Sequence, residues 1–169
     1  MSGKLLREIH KVRPFDCVEQ EVFLNVIRTA DNLSRAFDEL LKTCDLSSTQ
    51  YNVLRILRGV SQTKEGGGGV ECCAGVPCKT IGEHMITRDP DITRLLDRLE
   101  TRGLITRQRD NKDRRVVSTR ITAEGLAILE QLDKPILDLH RRQLEHMTPK
   151  KLSQLIDLLE QARTAEPAI

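Results

Sequence analysis

Residues 87–125 read TRDPDITRLLDRLETRGLITRQRDNKDRRVVSTRITAEG. The hydrophobic period changes within this stretch. Ile92, Leu95, Leu96 and Leu99 recur at helical spacing, which predicts a helix over 89–102 with one apolar face. Asp89 suits its N-cap, Pro90 its first position and Gly103 its stop. The outer face is left with Asp91, Arg94, Asp97 and Arg98. Beyond Gly103, LITRQR (104–109) and VVSTRIT (116–122) each suit a strand. The six residues between them, DNKDRR, close a hairpin.

Outward from this stretch the chain reads as helices. Phe15, Val18, Val22, Val26, Ala30, Leu33, Phe37 and Leu40 step by three and four, predicting a long amphipathic helix over 15–43. A second helix starts at Ser47 or Ser48 as N-cap, with Gly59 as its expected stop. SQTKEGGGGVECCAGV (61–76) contains four consecutive glycines, so a flexible loop is expected. PCKTIGEHMI (77–86) reads as a short helix with Pro77 in its first turn. After the hairpin, one helix covers about 123–146, with a kink expected near Pro135. Another opens at the capping pair Thr148-Pro149. The fold class is therefore mainly α with a small β-hairpin wing: a winged helix-turn-helix flanked by N- and C-terminal dimerisation helices. The expected domains are 1–46 for N-terminal dimerisation, 47–122 for the DNA-binding unit and 123–169 for C-terminal dimerisation.

Composition narrows the function. Hydrophobic residues make up 38% and charged residues 31% of 169, enough for a packed core. Aromatics are 2%, so Leu, Ile and Val must build it. No apolar run approaches a membrane span, and MSGKLLREIHKVRPFD lacks the apolar stretch of a secretion signal. A soluble cytoplasmic protein is expected. Net charge is +2, but residues 88–120 hold ten Lys or Arg against six Asp or Glu, a local balance of +4 that leaves −2 elsewhere. A positive field concentrated in one fifth of the chain can steer a polyanion.

A helix with such an outer face can lie in a DNA major groove. Arg94 can give paired hydrogen bonds to guanine, and Thr93 can meet a phosphate or a thymine methyl. The wing would present Lys112, Arg114 and Arg115 to phosphates or the minor groove. Asp113 would pair with one of these arginines. Lys79 and Thr80 on the short helix and Arg98 on the capped one complete the candidate contacts. Residues 91–125 resemble the MarR family (multiple-antibiotic-resistance regulators) in the recognition helix, the RLE..GL turn, the D.DRR-like wing tip and the T..G that starts the next helix. The order of helices extends the likeness from about residue 15 to 162. The resemblance implies a homodimeric transcription regulator, usually a repressor. Its terminal helices would interleave between subunits, and a small-molecule effector would bind between the dimer and DNA-binding parts. It makes Arg115 the wing arginine that enters the minor groove, Asp113 its orienting partner, and Arg88, Pro90, Asp91, Thr93 and Arg94 the groove-reading stretch. Asp91 departs from the small neutral residue common there; capping its own helix or pairing with Arg94 would account for it. The glycine-cysteine loop is also longer than the family's usual connection.

Dimerisation has independent support, because long apolar stripes at both chain ends exceed what a small winged-helix core can cover. A twofold dimer implies a palindromic operator; a monomer with its terminal helices folded together is the alternative. CCAGVPC places Cys72, Cys73 and Cys78 within seven residues. Three thiolates can hold a soft metal ion or respond to oxidant, and Lys79 or a helix N-terminus would lower the pKa of Cys78; incidental loop cysteines are the plainer reading. No cofactor is required. Cys17 and Cys44 read as packing residues, and His84 as a helix-surface or cleft-edge residue. Two other classes stay open: a thiol or metal enzyme, motivated only by that loop, and a winged helix that binds protein through Asp91 and Asp97. No nucleophile–base pair, phosphate loop or catalytic carboxylate pair is recognisable, so an enzyme is not expected.

Overall fold

The computed structural model describes residues 4–63, 75–87, 91–109 and 117–164. A short helix, α1 (Lys4–Glu8), precedes the long α2 (Val18–Lys42), followed by α3 (Ser48–Thr63). A two-residue strand, β1 (Val76–Pro77), leads into α4 (Cys78–His84) and α5 (Ile92–Thr101). The hairpin β2 (Ile105–Arg109) and β3 (Val117–Ile121) follows, and α6 (Ala123–Leu144) and α7 (Pro149–Arg163) complete the chain. The sheet is antiparallel in the order β1-β3-β2, with Arg107 opposite Thr119 and Val76 on the other side of that same threonine.

Local chemistry sets most of these boundaries. Ser47 Oγ accepts the backbone N–H of Gln50 at 3.2 Å while Gln50 Oε1 accepts the N–H of Ser47 at 2.9 Å, a reciprocal cap that starts α3. Thr148 caps α7, with Pro149 in its first turn. Thr122 Oγ1 accepts the N–H of Gly125 at 3.1 Å and donates to the Gly103 carbonyl at 2.7 Å. This ties the start of α6 to the end of α5. A Cβ on Gly125 would fall against the Leu104 carbonyl oxygen, which explains the glycine of the T..G pair. Gly103 turns the chain at φ +70°, and Leu104 donates back to Leu99 at 3.0 Å.

Several expectations need correction. The cap of α5 is Asp91, not Asp89, and the helix begins at Ile92 rather than at Pro90. α3 does not stop at Gly59. It continues to Thr63 because Val60 still packs against the core, outweighing the roughly 1 kcal/mol that an internal glycine costs. The loop expected over 61–76 therefore loses both ends, to α3 and to β1; residues 64–74 lie outside the described residues. Pro77 precedes α4 and pairs with Ser118 at the sheet edge, where its missing N–H is tolerated. By contrast, α6 runs as one helix through Pro135, as expected, with Leu132 and Ile136 buried on either side.

The core centres on the winged-helix unit and draws in the first half of α6. Val53, Leu54 and Leu57 of α3 meet Ile81 of α4, Leu95, Leu96 and Leu99 of α5, Ile105 of β2, and Leu129, Leu132 and Ile136 of α6. α2 reaches it only through its C-terminal end, with Leu41 buried and Phe37 and Leu40 packed alongside. The N-terminal half of α2 exposes Val18, Val22, Phe23, Val26 and Ile27, and α7 buries no residue. Arg58 of α3 grips Asp133 of α6 with two hydrogen bonds of 2.7 and 2.8 Å.

Candidate nucleic-acid interface

α5 is amphipathic by construction. Leu95, Leu96 and Leu99 seat it on α3 and α4 and turn Asp91, Thr93, Arg94, Asp97 and Arg98 outward. The two acids on that face are both engaged. Asp91 Oδ1 accepts the backbone N–H of Arg94 at 3.2 Å and Oδ2 lies 3.1 Å from its Nε, so the residue both caps the helix and pairs with Arg94. Asp97 Oδ1 is 2.6 Å from Nη2 of Arg107 on β2. Arg98 is exposed and makes no ion pair among the described residues. The outer face thus offers Thr93, Arg94 and Arg98, with its negative charge answered locally. On α4, Lys79 is exposed and lies 3.9 Å from Glu83, while Thr80 is half-buried.

Two arginines counted in the basic stretch do not face outward from it. Arg107 is drawn onto α5 by Glu100, which takes its Nε at 2.8 Å and its backbone N–H at 3.1 Å, and by Asp97. These bonds, Glu100's first, raise the guanidinium pKa further. They also lock the first wing strand to the recognition helix. Arg102 turns the other way, donating to the carbonyls of Cys44, at 3.1 Å, and Asp45. It clamps the end of α5 to the α2–α3 turn, where Asp45 takes φ +52°. The steering charge is therefore smaller than composition suggests. Arg88, Pro90, Lys112, Asp113, Arg114 and Arg115 lie outside the described residues, as do Cys72 and Cys73.

Cys78 is half-buried at the start of α4, packed against the core. Burial pushes its thiol pKa up, with Arg107 opposing, so the direction is opposite to that expected from Lys79 and the helix N-terminus. Cys44 packs against the core as expected, but Cys17 is exposed. His84 is exposed on the last turn of α4. Among the described residues no group of three or more His, Cys, Asp or Glu is placed to hold a metal ion, and no helix is long and apolar enough to cross a membrane.

A cleft of about 410 Å³ separates α2 and α3 from the segment that leads into α5. Phe37, Tyr51, Asn52, Arg55, Ile86 and Thr87 line it. Phe37 meets Tyr51 edge-on at 5.5 Å, and His140 of α6 stacks on Phe37 at 5.8 Å. Arg55 sits 5.9 Å from the Tyr51 ring centre. Asn52 Oδ1 accepts the N–H of Ile86 at 3.0 Å, so the cleft wall is tied to the connection before α5. A larger depression of about 910 Å³ over the α2–α3 turn is walled by Arg35, Asp38, Glu39 and Lys42 and suits water better than an organic ligand. Sequence reading missed the Asn52, Arg58 and Arg102 ties because each joins residues far apart in the chain; only the carboxylates within ten positions of Arg107 gave a local clue.

The MarR family model matches residues 74–117, from just before β1 to the first residue of β3. The multiple antibiotic resistance protein MarR of Salmonella typhimurium is 32% identical over 129 residues, covering 74% of this chain and 78% of that one. The crystal structure of a MarR transcription factor from Planctomyces limnophilus is 38% identical with a TM-score of 0.63, covering 86% of this chain and 98% of the other. The PcaV transcriptional regulator of Streptomyces coelicolor, solved in complex with its natural ligand, is 27% identical with a TM-score of 0.62, covering 82% of this chain and 92% of its own.

Proposed function

This chain belongs to the MarR family of DNA-binding transcription regulators, and from that membership we propose that it acts as a homodimeric, sequence-specific repressor in the cytoplasm. The observation that carries the reading is the outer face of α5, where Thr93, Arg94 and Arg98 are exposed while Asp91 pairs with Arg94 and Asp97 with Arg107. Thr93, Arg94 and Arg98 read base edges in the major groove, with Arg88, Pro90 and Asp91 at the head of the same stretch. Lys79 and Thr80 of α4 meet the backbone. Lys112, Arg114 and Arg115 of the wing follow the phosphates into the minor groove, and Asp113 orients Arg115.

The exposed apolar residues of α2 and α7 support a homodimer, since an uncovered stripe of that kind marks an interface. A twofold pair of α5 helices fits a palindromic operator. A small-molecule effector occupies the 410 Å³ cleft, where it bears on the Asn52–Ile86 tie and so on the approach to α5; the PcaV relative's ligand complex supports that role for a small molecule. A soft metal ion or an oxidant at Cys72, Cys73 and Cys78 is the second effector reading, weakened by the burial of Cys78.

The test is fluorescence anisotropy of the purified protein on its own upstream DNA and on a scrambled duplex, at two salt concentrations. Tight, salt-dependent binding that favours the native duplex is expected. Absence of binding to either duplex at low salt would overturn the DNA reading and favour a protein partner.

A further inference from the structure

An aspartate on the outer face of a DNA-facing helix opposes the polyanion that the helix meets. A cap alone does not require one, because Ser, Thr and Asn cap as well without charge. What Asp91 adds is its second oxygen. Oδ1 caps the helix through the N–H of Arg94, and Oδ2 forms an ion pair with that same residue, 3.1 Å from its Nε. The Arg94 side chain is 78% exposed, so little else restrains it. A free arginine loses about 2 kcal/mol of rotamer freedom when fixed, and Asp91 restricts it before any DNA arrives.

The geometry of the guanidinium decides what remains available. Its five N–H groups lie in one plane, one on Nε and two on each Nη. Nε is the atom of the guanidinium that stands 3.1 Å from Asp91 Oδ2, which leaves the Nη1–Nη2 end for another acceptor. That end forms a fork whose spacing fits O6 and N7 of guanine, and no other base presents two acceptors there. Among the described residues, the other acid on this face, Asp97, is engaged by Arg107 at 2.6 Å and forms no ion pair with Arg94.

We infer that Asp91 is a positioning residue that presents the Nη end of Arg94 to a guanine, so that the pair determines one base in each half of the operator. The inference rests on the DNA-binding reading above. It carries a signature that a simple cap lacks: Asp91 raises discrimination while lowering general affinity, since its charge repels phosphate. Replacing it should move those two quantities in opposite directions.

The experiment uses the full chain and its D91N, D91S, R94A and R94K variants. Each is put through selection from a random duplex library, followed by competition anisotropy on the enriched site and on the same site with one guanine changed to adenine. The wild type should enrich a guanine in each half-site and prefer it by about tenfold or more. R94A should erase that preference, and R94K should weaken it because an ammonium lacks the planar fork. D91N and D91S keep a capping side chain; their discrimination should fall about fivefold while affinity for scrambled DNA rises about threefold. Circular dichroism identical to wild type confirms that α5 is intact. D91N and D91S that discriminate as well as wild type would overturn the positioning role, and R94A that still enriches the same guanine would overturn the role of the pair. A wild type that enriches no sequence at all overturns the regulator reading and this inference together. Enriched sites that contain no Arg94-dependent guanine overturn this inference alone.

Discussion

The winged-helix unit and the terminal helices treat the same kinds of side chain in opposite ways. In the first, Val53, Leu54, Ile81 and Leu99 are fully buried. In the second, Val18 is 73% and Phe23 63% exposed on α2, and Leu158 is 63% exposed on α7. α2 contains both behaviours, because its last turns seal the core through Leu41 while its first turns stand free. The winged-helix unit has a core completed within one chain, with Leu41 of α2 and Leu129, Leu132 and Ile136 of α6 closing it. The start of α2 and α7 leave apolar side chains uncovered, and burying each large one is worth about 1.5–3 kcal/mol to whatever covers it.

Truncation inside the finished core should cost most. Leu99→Ala should destabilise the protein by about 2–5 kcal/mol, read from the midpoint of urea unfolding, because the surrounding side chains collapse only partly into the void. Val22→Ala, on the uncovered stripe, should cost the single chain much less when both are measured at a concentration where the wild type is monomeric. Equal costs would erase the distinction between the two regions. Next in size, Phe23→Asp should weaken self-association by about a hundredfold, since a charge placed in an apolar interface is left without a partner. Analytical ultracentrifugation would register the change, and the far-ultraviolet spectrum should stay as it was. A Phe23→Asp protein that still sediments as a dimer would place the interface elsewhere.

The same division explains what the sequence revealed. The Thr148–Pro149 cap and the Thr122–Gly125 pair are local patterns that lie where they were expected, and Ser47 is one of the two caps expected for α3, whereas the first long helix begins at Val18 rather than at Phe15. The α5 cap was misplaced by two residues because Asp89 and Asp91 are both good caps. The decision belongs to Ile92, which opens the stripe continued by Leu95, Leu96 and Leu99 and so fixes where the helix must begin. Gly59 failed as a stop for a related reason: burial of Val60 beyond it is tertiary information. β1 was hidden, as two residues have no period, and α1 gives only a single turn. At the site, the outward residues of α5 were legible, but the charges that count were not. Arg102 and Arg107 read as free cations until the fold supplied Asp45, Asp97 and Glu100 as their partners.

The smallest effect concerns the contact that joins the two regions. Arg58 on α3 and Asp133 on α6 are 75 positions apart and share two hydrogen bonds, with Arg58 mostly buried and Asp133 47% exposed. The hydrogen bonds from Arg58 hold the Asp133 carboxyl below its ordinary value of 3.8, against the opposing effect of burial. The folded chain therefore takes up this proton less readily than the unfolded one. The stability that the pair contributes is present above about pH 4 and is lost as pH falls through the depressed folded value. Solvent screening at the exposed carboxylate limits it, so Asp133→Asn should cost about 1 kcal/mol near neutral pH. Urea midpoints of wild type and Asp133→Asn should differ by the same amount at pH values of about 7 and 5, then converge as the solution is acidified below about 4. A gap that widened on acidification would mean that Asp133 takes up its proton more readily in the folded chain, and the tie between α3 and α6 would then have to rest on apolar packing alone.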